Sequence, residues 1–298
     1  MRRVPVACAL ALALGPARAA AAQSPPPLVF ATQAEVVRVE VSVTRDGRPV
    51  GGLTTADFEI RDSGVLQRLN PVVGEAVPLD VALVLDMSQS VQGRRLEELR
   101  AAADAFLGGL RPADRAAMFA FSHQIAQLQP LTHELGAVRA ALARASGSGA
   151  TALRDAVFAA LRLPETAGDR RAAAVVLTDG IDTASWLEKA QVIDSARRGP
   201  SVVYFVLADP HPGSGVGPDR AFLRDVSRET GGRLFEVGRR SLEASFVEVL
   251  EHIRSRYLLS YFPEPTPAAG WHRLSVKVKR PGLDVQVRPG YFRSPSPR

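Results

Sequence analysis

The chain has 298 residues, 46% hydrophobic and 23% charged, with a formal net charge of +6. This is ordinary globular composition, with room for one large domain or two modest ones. The lone cysteine, Cys8, excludes a disulfide-built fold, and no basic run or aromatic–basic interleaving suggests a nucleic-acid groove.

Residues 1–22 read as a secretory signal peptide: Arg2 and Arg3, a short apolar stretch from Val6 to Leu14, then Ala20-Ala21-Ala22 before Gln23. Cys8 lies inside it, too early for a lipidation site. Cleavage would remove Arg2, Arg3 and Arg18, lowering the net charge from +6 to +3. No later stretch is long and apolar enough to span a membrane, so no span is expected in the mature chain.

Gln23 to Pro27 reads as a tether. Val37, Val39, Val41 and Val43 then alternate with polar residues, the pattern of a half-buried antiparallel strand. Asp46-Gly47 supplies a hairpin turn. Phe58–Asp62 begins another strand, closed by Ser63-Gly64, so residues 23–77 form a β segment.

Residues 78–255 change character. Val81–Leu85, Ala116–Phe121, Ala172–Leu177, Val202–Leu207 and Leu234–Val237 read as strands. Helices are expected at 93–110, 135–145, 151–163, 187–198, 221–230 and 242–254, with Gly231-Gly232 ending the fifth. This alternation predicts an α/β fold: a Rossmann-like, open, mostly parallel sheet with helices on both faces. Residues 256–293 return to β, with Tyr257–Tyr261, alternation from Arg273 to Lys279, a Pro281-Gly282 turn, and Leu283, Val285 and Val287 alternating again. Residues 294–298 are a Ser/Pro/Arg-rich tail. Neither β flank alone has enough strands to bury two faces. The two are therefore expected to meet in a β-sandwich-like unit around the inserted α/β domain, against the alternative of two separate appendages.

Three stretches carry chemistry. Asp86-Met87-Ser88-Gln89-Ser90 follows the first strand of the α/β region, Thr178-Asp179-Gly180 follows the third, and Thr151 closes the small-residue loop Ser148-Gly149-Ala150. In open α/β sheets ligands bind at the carboxyl ends of the strands, so all three converge if the sheet is parallel. Ser88, Ser90 and Thr151 offer hydroxyl oxygens, and Asp86 and Asp179 offer charge, directly or through water. That set suits a hard divalent cation, Mg²⁺ with Mn²⁺ or Ca²⁺ as substitutes. Few negative groups on the ion would leave it electrophilic, with a position open for a Glu or Asp carboxylate of another protein. The competing structural roles are helix N-capping for the serines and a surface turn for Asp179-Gly180.

Residues 78–255 resemble a von Willebrand factor type A domain on three stretches: Leu85–Ser90, Ala150–Ala156 and Val176–Gly180. The resemblance implies a metal-ion-dependent adhesion site in which Ser88, Ser90 and Thr151 contact the metal and Asp86 and Asp179 act mostly through water. Leu53–Asp62, Thr230–Arg233, Tyr257–Tyr261 and Arg288–Tyr291 further resemble a group of exported bacterial VWFA-related proteins abundant in acidobacteria. That likeness implies export, to the periplasm, the cell surface or beyond. One departure is Ala150, where the family often has Gly.

Enzymatic readings fit less well. A phosphoryl-accepting Asp86 would want a carboxylate two residues on, where Ser88 stands. Ser146-Gly147-Ser148-Gly149 lacks the spacing of a nucleophile elbow, and the five histidines form no zinc motif. The expectation is a non-enzymatic, metal-dependent protein-binding protein, with an inert envelope scaffold holding a structural metal as the alternative.

Overall fold

The computed structural model describes residues 36–72, 77–89, 91–162, 170–209, 215–264 and 269–293. The expected signal peptide, tether and tail lie outside the described residues.

In the N-terminal flank, β1 (Val37–Arg45) turns into β2 (Arg48–Pro49) through Asp46 and Gly47, at φ 50° and 76°. Positive φ at both positions is what an Asp-Gly hairpin turn requires. β3 (Phe58–Asp62) and β4 (Val65–Leu66) pair over Ser63-Gly64.

Six strands then form the central sheet: β5 (Leu79–Asp86), β6 (Arg115–Phe121), β7 (Ile125–Thr132), β8 (Arg171–Thr178), β9 (Val202–Leu207) and β10 (Leu234–Glu236). Their order is β10-β9-β8-β5-β6-β7. The six helices are α1 (Arg94–Gly108), α2 (Leu135–Arg144), α3 (Leu153–Leu161), α4 (Lys189–Arg198), α5 (Arg220–Thr230) and α6 (Leu242–Arg254). Along β5, Leu79, Val81, Leu83 and Leu85 pack with apolar residues of α1, α2 and α6. Ala82 and Val84 pack with those of α3, α4 and α5. A strand covered on both faces reads as a continuous apolar run, which is why β5 shows no alternation.

β7 was not among the expected strands. It runs antiparallel to β6 at the edge of the sheet, with register shifts along the pair, and none of its residues is buried. Pro130 sits within it, and an edge strand tolerates a missing donor. A strand with no buried face carries little apolar pattern. Two helices also begin two residues later than expected, at Leu153 and Lys189, leaving Thr151 in a loop.

The C-terminal flank contributes β11 (Tyr257–Tyr261), β12 (Gly270–Val278), β13 (Asp284–Gln286) and β14 (Gly290–Arg293). β1 pairs with both β11 and β13, and β12 pairs with both β3 and β14, so each sheet draws strands from both flanks. Val39, Val41, Ile60, Tyr257, Leu259, Tyr261 and Leu274 share one core between these sheets. The flanks therefore meet as a sandwich. Asp62 is fully buried inside it and accepts hydrogen bonds from Tyr261 and Tyr291 and pairs with His272.

Three arginines join the sandwich to the helical layers. Arg171 donates to the carbonyl of Ile253 near the end of α6, Arg256 to that of Gly231 after α5, and Arg288 to those of Arg197 and Gly199 at the end of α4. Each places a cation at the negative end of a helix. Glu40 of β1 pairs with Arg171 and Arg256. Burial alone would raise the Glu40 carboxyl, but the two guanidinia outweigh it and hold it below the usual range.

Candidate metal centre

The chain leaves β5 toward β6 on one side, while β8 lies on the other. Connections diverge between β5 and β8, so a crevice opens at their carboxyl ends, the expected ligand site of such a sheet. The two strands run in register from Leu79↔Arg171 to Leu85↔Leu177. Asp86 and Thr178 are thereby last residues of adjacent strands, with Asp179 the first residue beyond.

Asp86 is 2% exposed. Its Oδ1 accepts the N–H of Ser88 at 3.0 Å, and its Oδ2 accepts the hydroxyl of Thr178 at 3.2 Å. Burial pushes its carboxyl up to about 6; hydrogen bonds from Ser88 oppose the rise, and the negative charge of Asp179 adds to it. No ion pair among the described residues involves Asp86. A buried carboxylate beside another carboxylate, held only by neutral donors, is unfavourable without a cation.

Ser88 is buried beside Asp86. It does not cap α1, whose N-cap is Gly93. Ser90 lies outside the described residues. The loop bearing Ser88 is stitched to the loop before α3: Ser148 N–H donates to the carbonyl of Met87 at 2.8 Å, and Gln89 N–H to that of Gly149 at 3.0 Å. Gly147 is what permits this approach, since a Cβ there would stand 2.2 Å from the carbonyl oxygen of Val91. The glycines of Ser146–Gly149 thus serve close packing of loops.

Thr151 is buried at the end of the same loop. Its N–H donates to Thr183 Oγ1 at 2.9 Å, and its carbonyl accepts from the N–H groups of Thr183 and Ala184. The loop after β8 thereby holds Thr151 in place. That loop is itself fixed at its far end, where Asp155 accepts from the N–H groups of Trp186 and Leu187, and Asp182 accepts from Ser185 and Arg154. Asp179 is half-buried and accepts from the N–H of Ile181 at 3.1 Å, so it anchors the turn at Gly180 (φ 76°) as well as facing the crevice.

Asp86, at the end of β5, and Ser88, Thr151 and Asp179, in the three loops around it, are therefore tied to one another by hydrogen bonds at one sheet edge. Among the described residues, no three His, Cys, Asp or Glu side chains cluster as metal ligands. A site here draws on hydroxyls and two aspartates, a donor set that fits a hard cation. Thr178 belongs to the Thr178-Asp179-Gly180 stretch singled out in the sequence, but without a donor role, and Thr183 belongs to none of the three stretches. Thr178 ends an apolar strand beside a candidate aspartate, a signal that would have found it; Thr183 has no such signal. Two of the histidines play structural parts: His252 is buried, with Nε2 3.1 Å from Ser42 Oγ, and His133 bonds the carbonyl of Asp114.

Residues 81–181 match the family model of the von Willebrand factor type A domain. Inter-alpha-trypsin inhibitor heavy chain H4 of Bos taurus is 24% identical over 216 residues, covering 67% of this chain and 22% of the relative. The chain thus spans about a fifth of the length of the curated relatives it matches. Among solved structures, a von Willebrand factor type A protein from Catenulispora acidiphila aligns with a TM-score of 0.53 at 14% identity, covering 89% of this chain and 65% of that one. Proximal thread matrix protein 1 from the mussel byssus, solved with a zinc-occupied MIDAS motif, aligns with a TM-score of 0.51 at 15% identity, covering 65% and 50%. At these identities the likeness carries the fold, a mixed α/β architecture around a mostly parallel sheet.

Proposed function

We propose that this chain is an exported, non-enzymatic protein-binding protein that engages an acidic residue of its partner through a divalent cation. Asp86, Ser88, Ser90, Thr151 and Asp179 would hold the ion. When bound, it supplies an electrophilic contact for an anionic oxygen. The observation that carries the reading is the buried Asp86 carboxylate, beside Asp179 and served only by neutral donors. A divalent cation offsets both the desolvation and the repulsion. The family match over residues 81–181 and the zinc-occupied MIDAS of the mussel protein support it. Export rests on the leader-like residues 1–22, and no described helix is long and apolar enough to cross a membrane.

The test is a thermal melt with Mg²⁺, Mn²⁺, Zn²⁺ or EDTA. Metal at 100 times Kd stabilises by about 2.7 kcal/mol. Asp86→Ala abolishes that response. Identical melts of the wild type in metal and in EDTA would remove the site. A full metal response combined with no metal-dependent partner in envelope extracts would instead favour a structural ion.

A further inference from the structure

Trp186, in the loop between β8 and α4, is 92% exposed, the most of any large apolar side chain among the described residues. An indole left in water forgoes the gain from burying a large apolar surface. Its backbone is nevertheless held fast. Trp186 N–H donates to Asp155 Oδ2 at 2.9 Å and Leu187 N–H to Asp155 Oδ1 at 3.0 Å, while the N–H of Ser185 donates to Asp182 at 3.2 Å. Both flanks of the indole are thus fixed to the first turn of α3. A side chain presented on a fixed backbone loses little freedom on binding, and Trp is the residue type most enriched among binding hot spots.

The same loop is tied to the metal centre. Thr183 accepts the N–H of Thr151 and donates its own to the Thr151 carbonyl. Trp186 is three residues further on, at most about 11 Å of chain. A cavity of about 450 Å³ lies along this loop, lined by Gly180, next to Asp179, and by Asp182 and Lys189, which bracket Trp186 in sequence. Its charges answer one another: Arg154 pairs with Asp182, and Lys189 with Asp219. Leu153, Val216 and Phe222 supply apolar wall, and Val216 is 60% exposed. No unanswered charge there calls for an anion or a cation.

Resting on the metal-bridging reading, we infer that Trp186 and this neutral cavity receive an apolar side chain of the same partner segment whose carboxylate meets the metal. The occupant is aliphatic or aromatic, because the paired charges leave nothing for a charged group and the indole and Val216 offer apolar area. An extended chain advances about 3.3 Å per residue, so the apolar residue lies within about four positions of the acid. The metal reads the carboxylate, and Trp186 reads what stands beside it.

The experiment uses immobilised Gly/Ser peptides carrying one Glu, alone or with one Leu placed at successive positions on either side of it. Binding of the full chain is read in Mg²⁺ and in EDTA. The expected result is that a Leu within four positions tightens binding in Mg²⁺ by about tenfold or more. Trp186→Ala keeps the backbone N–H that Asp155 holds, so it removes the Leu advantage while Glu-only binding and the metal-induced melting shift persist. In Trp271→Phe, which leaves Trp186 as the sole tryptophan, the Glu-Leu peptide shifts the emission to the blue and the Glu-only peptide does not. Glu-only binding in Mg²⁺ with no gain from Leu would overturn the inference and leave the metal bridge standing. A gain that survives Trp186→Ala, an equal gain from Lys or Arg in place of Leu, or no peptide binding at all would also overturn it. So would a dimer of the free chain that Trp186→Ala dissolves, since a second copy would then cover the indole. Binding that needs Leu and Trp186 but ignores EDTA and Asp86→Ala would keep the apolar anchor and sink the metal bridge.

Discussion

The hydroxyl of Thr178 donates to Oδ2 of Asp86 at 3.2 Å, tying together the ends of two adjacent parallel strands. The same oxygen accepts the N–H of Gly180 at 3.0 Å, so one threonine orients both the buried aspartate and the turn that carries Asp179. Thr178→Val keeps the shape and removes both bonds. Losing such an outer partner lowers metal affinity by about 10- to 100-fold. Isothermal titration with Mg²⁺ or Mn²⁺ reads this directly, and unchanged affinity would deny Thr178 its positioning role.

Asp86→Asn removes the buried charge while keeping the size. Burial and Asp179 hold the native carboxyl up to about 6, against the ordinary aspartate value of 3.8. At pH 7 without metal, the charged form therefore destabilises the fold by roughly 2–3 kcal/mol. The Asn variant should melt higher than the wild type in EDTA and show no metal shift. A lower melt in EDTA would mean the carboxylate stabilises the metal-free fold.

Gly147→Ala places a Cβ against the carbonyl of Val91, 2.2 Å away before any adjustment. The two stitched loops must part, at a cost of about 1–3 kcal/mol. Metal affinity falls as well, because Ser88 and Thr151 sit on those loops. Urea denaturation and metal titration of the same sample check both effects.

His252 sets an acid limit. Burial, with Arg256 nearby, pushes its pKa down from 6.5 to about 3. The unfolded state then binds the extra proton between those values, so stability is present above pH 6.5 and declines as pH falls toward 3. The slope approaches about 1.4 kcal/mol per pH unit. Asp86 has the opposite sign between pH 6 and 3.8, since its folded pKa is raised and the folded state binds the extra proton. The measurement therefore belongs in the Asp86→Asn background. Urea midpoints there should fall steeply from pH 6 to 4, and His252→Gln should flatten the fall.

Glu40→Gln leaves the buried Arg171 and Arg256 guanidinia without their shared carboxylate. Breaking a buried pair by removing one partner costs about 3–5 kcal/mol. The metal-induced shift should survive, because Glu40 lies at the opposite end of β8 from Asp179. Loss of both together would mean the joint and the site are coupled.

The local patterns were legible for a physical reason. β5, β8 and β9 are covered on both faces, so burial writes a continuous apolar run into each. The α6 and β11 boundaries match the periodicity, and Gly231 in the left-handed region ends α5 as its position suggested. β7 was not legible, because an exposed edge strand has no buried face to impose alternation. Asp86, Ser88, Thr151 and Asp179 could be picked out because each follows a strand end or precedes a helix.

What the sequence determined by itself is the inventory: the order of elements apart from the edge strand β7, the hydroxyl and carboxylate donors, and the β character of both flanks. These are local properties, set by burial period and by residue chemistry. Tertiary structure alone decided the company those residues keep. Strand order puts Thr178 against Asp86, Thr183 against Thr151, and Arg239 and Arg240 beside the site from more than 50 residues away. Pairing across the sheets likewise closed the two flanks into one sandwich and set three arginines at three helix ends. Such contacts depend on which strands become neighbours, a consequence of the whole chain's packing that no short stretch encodes.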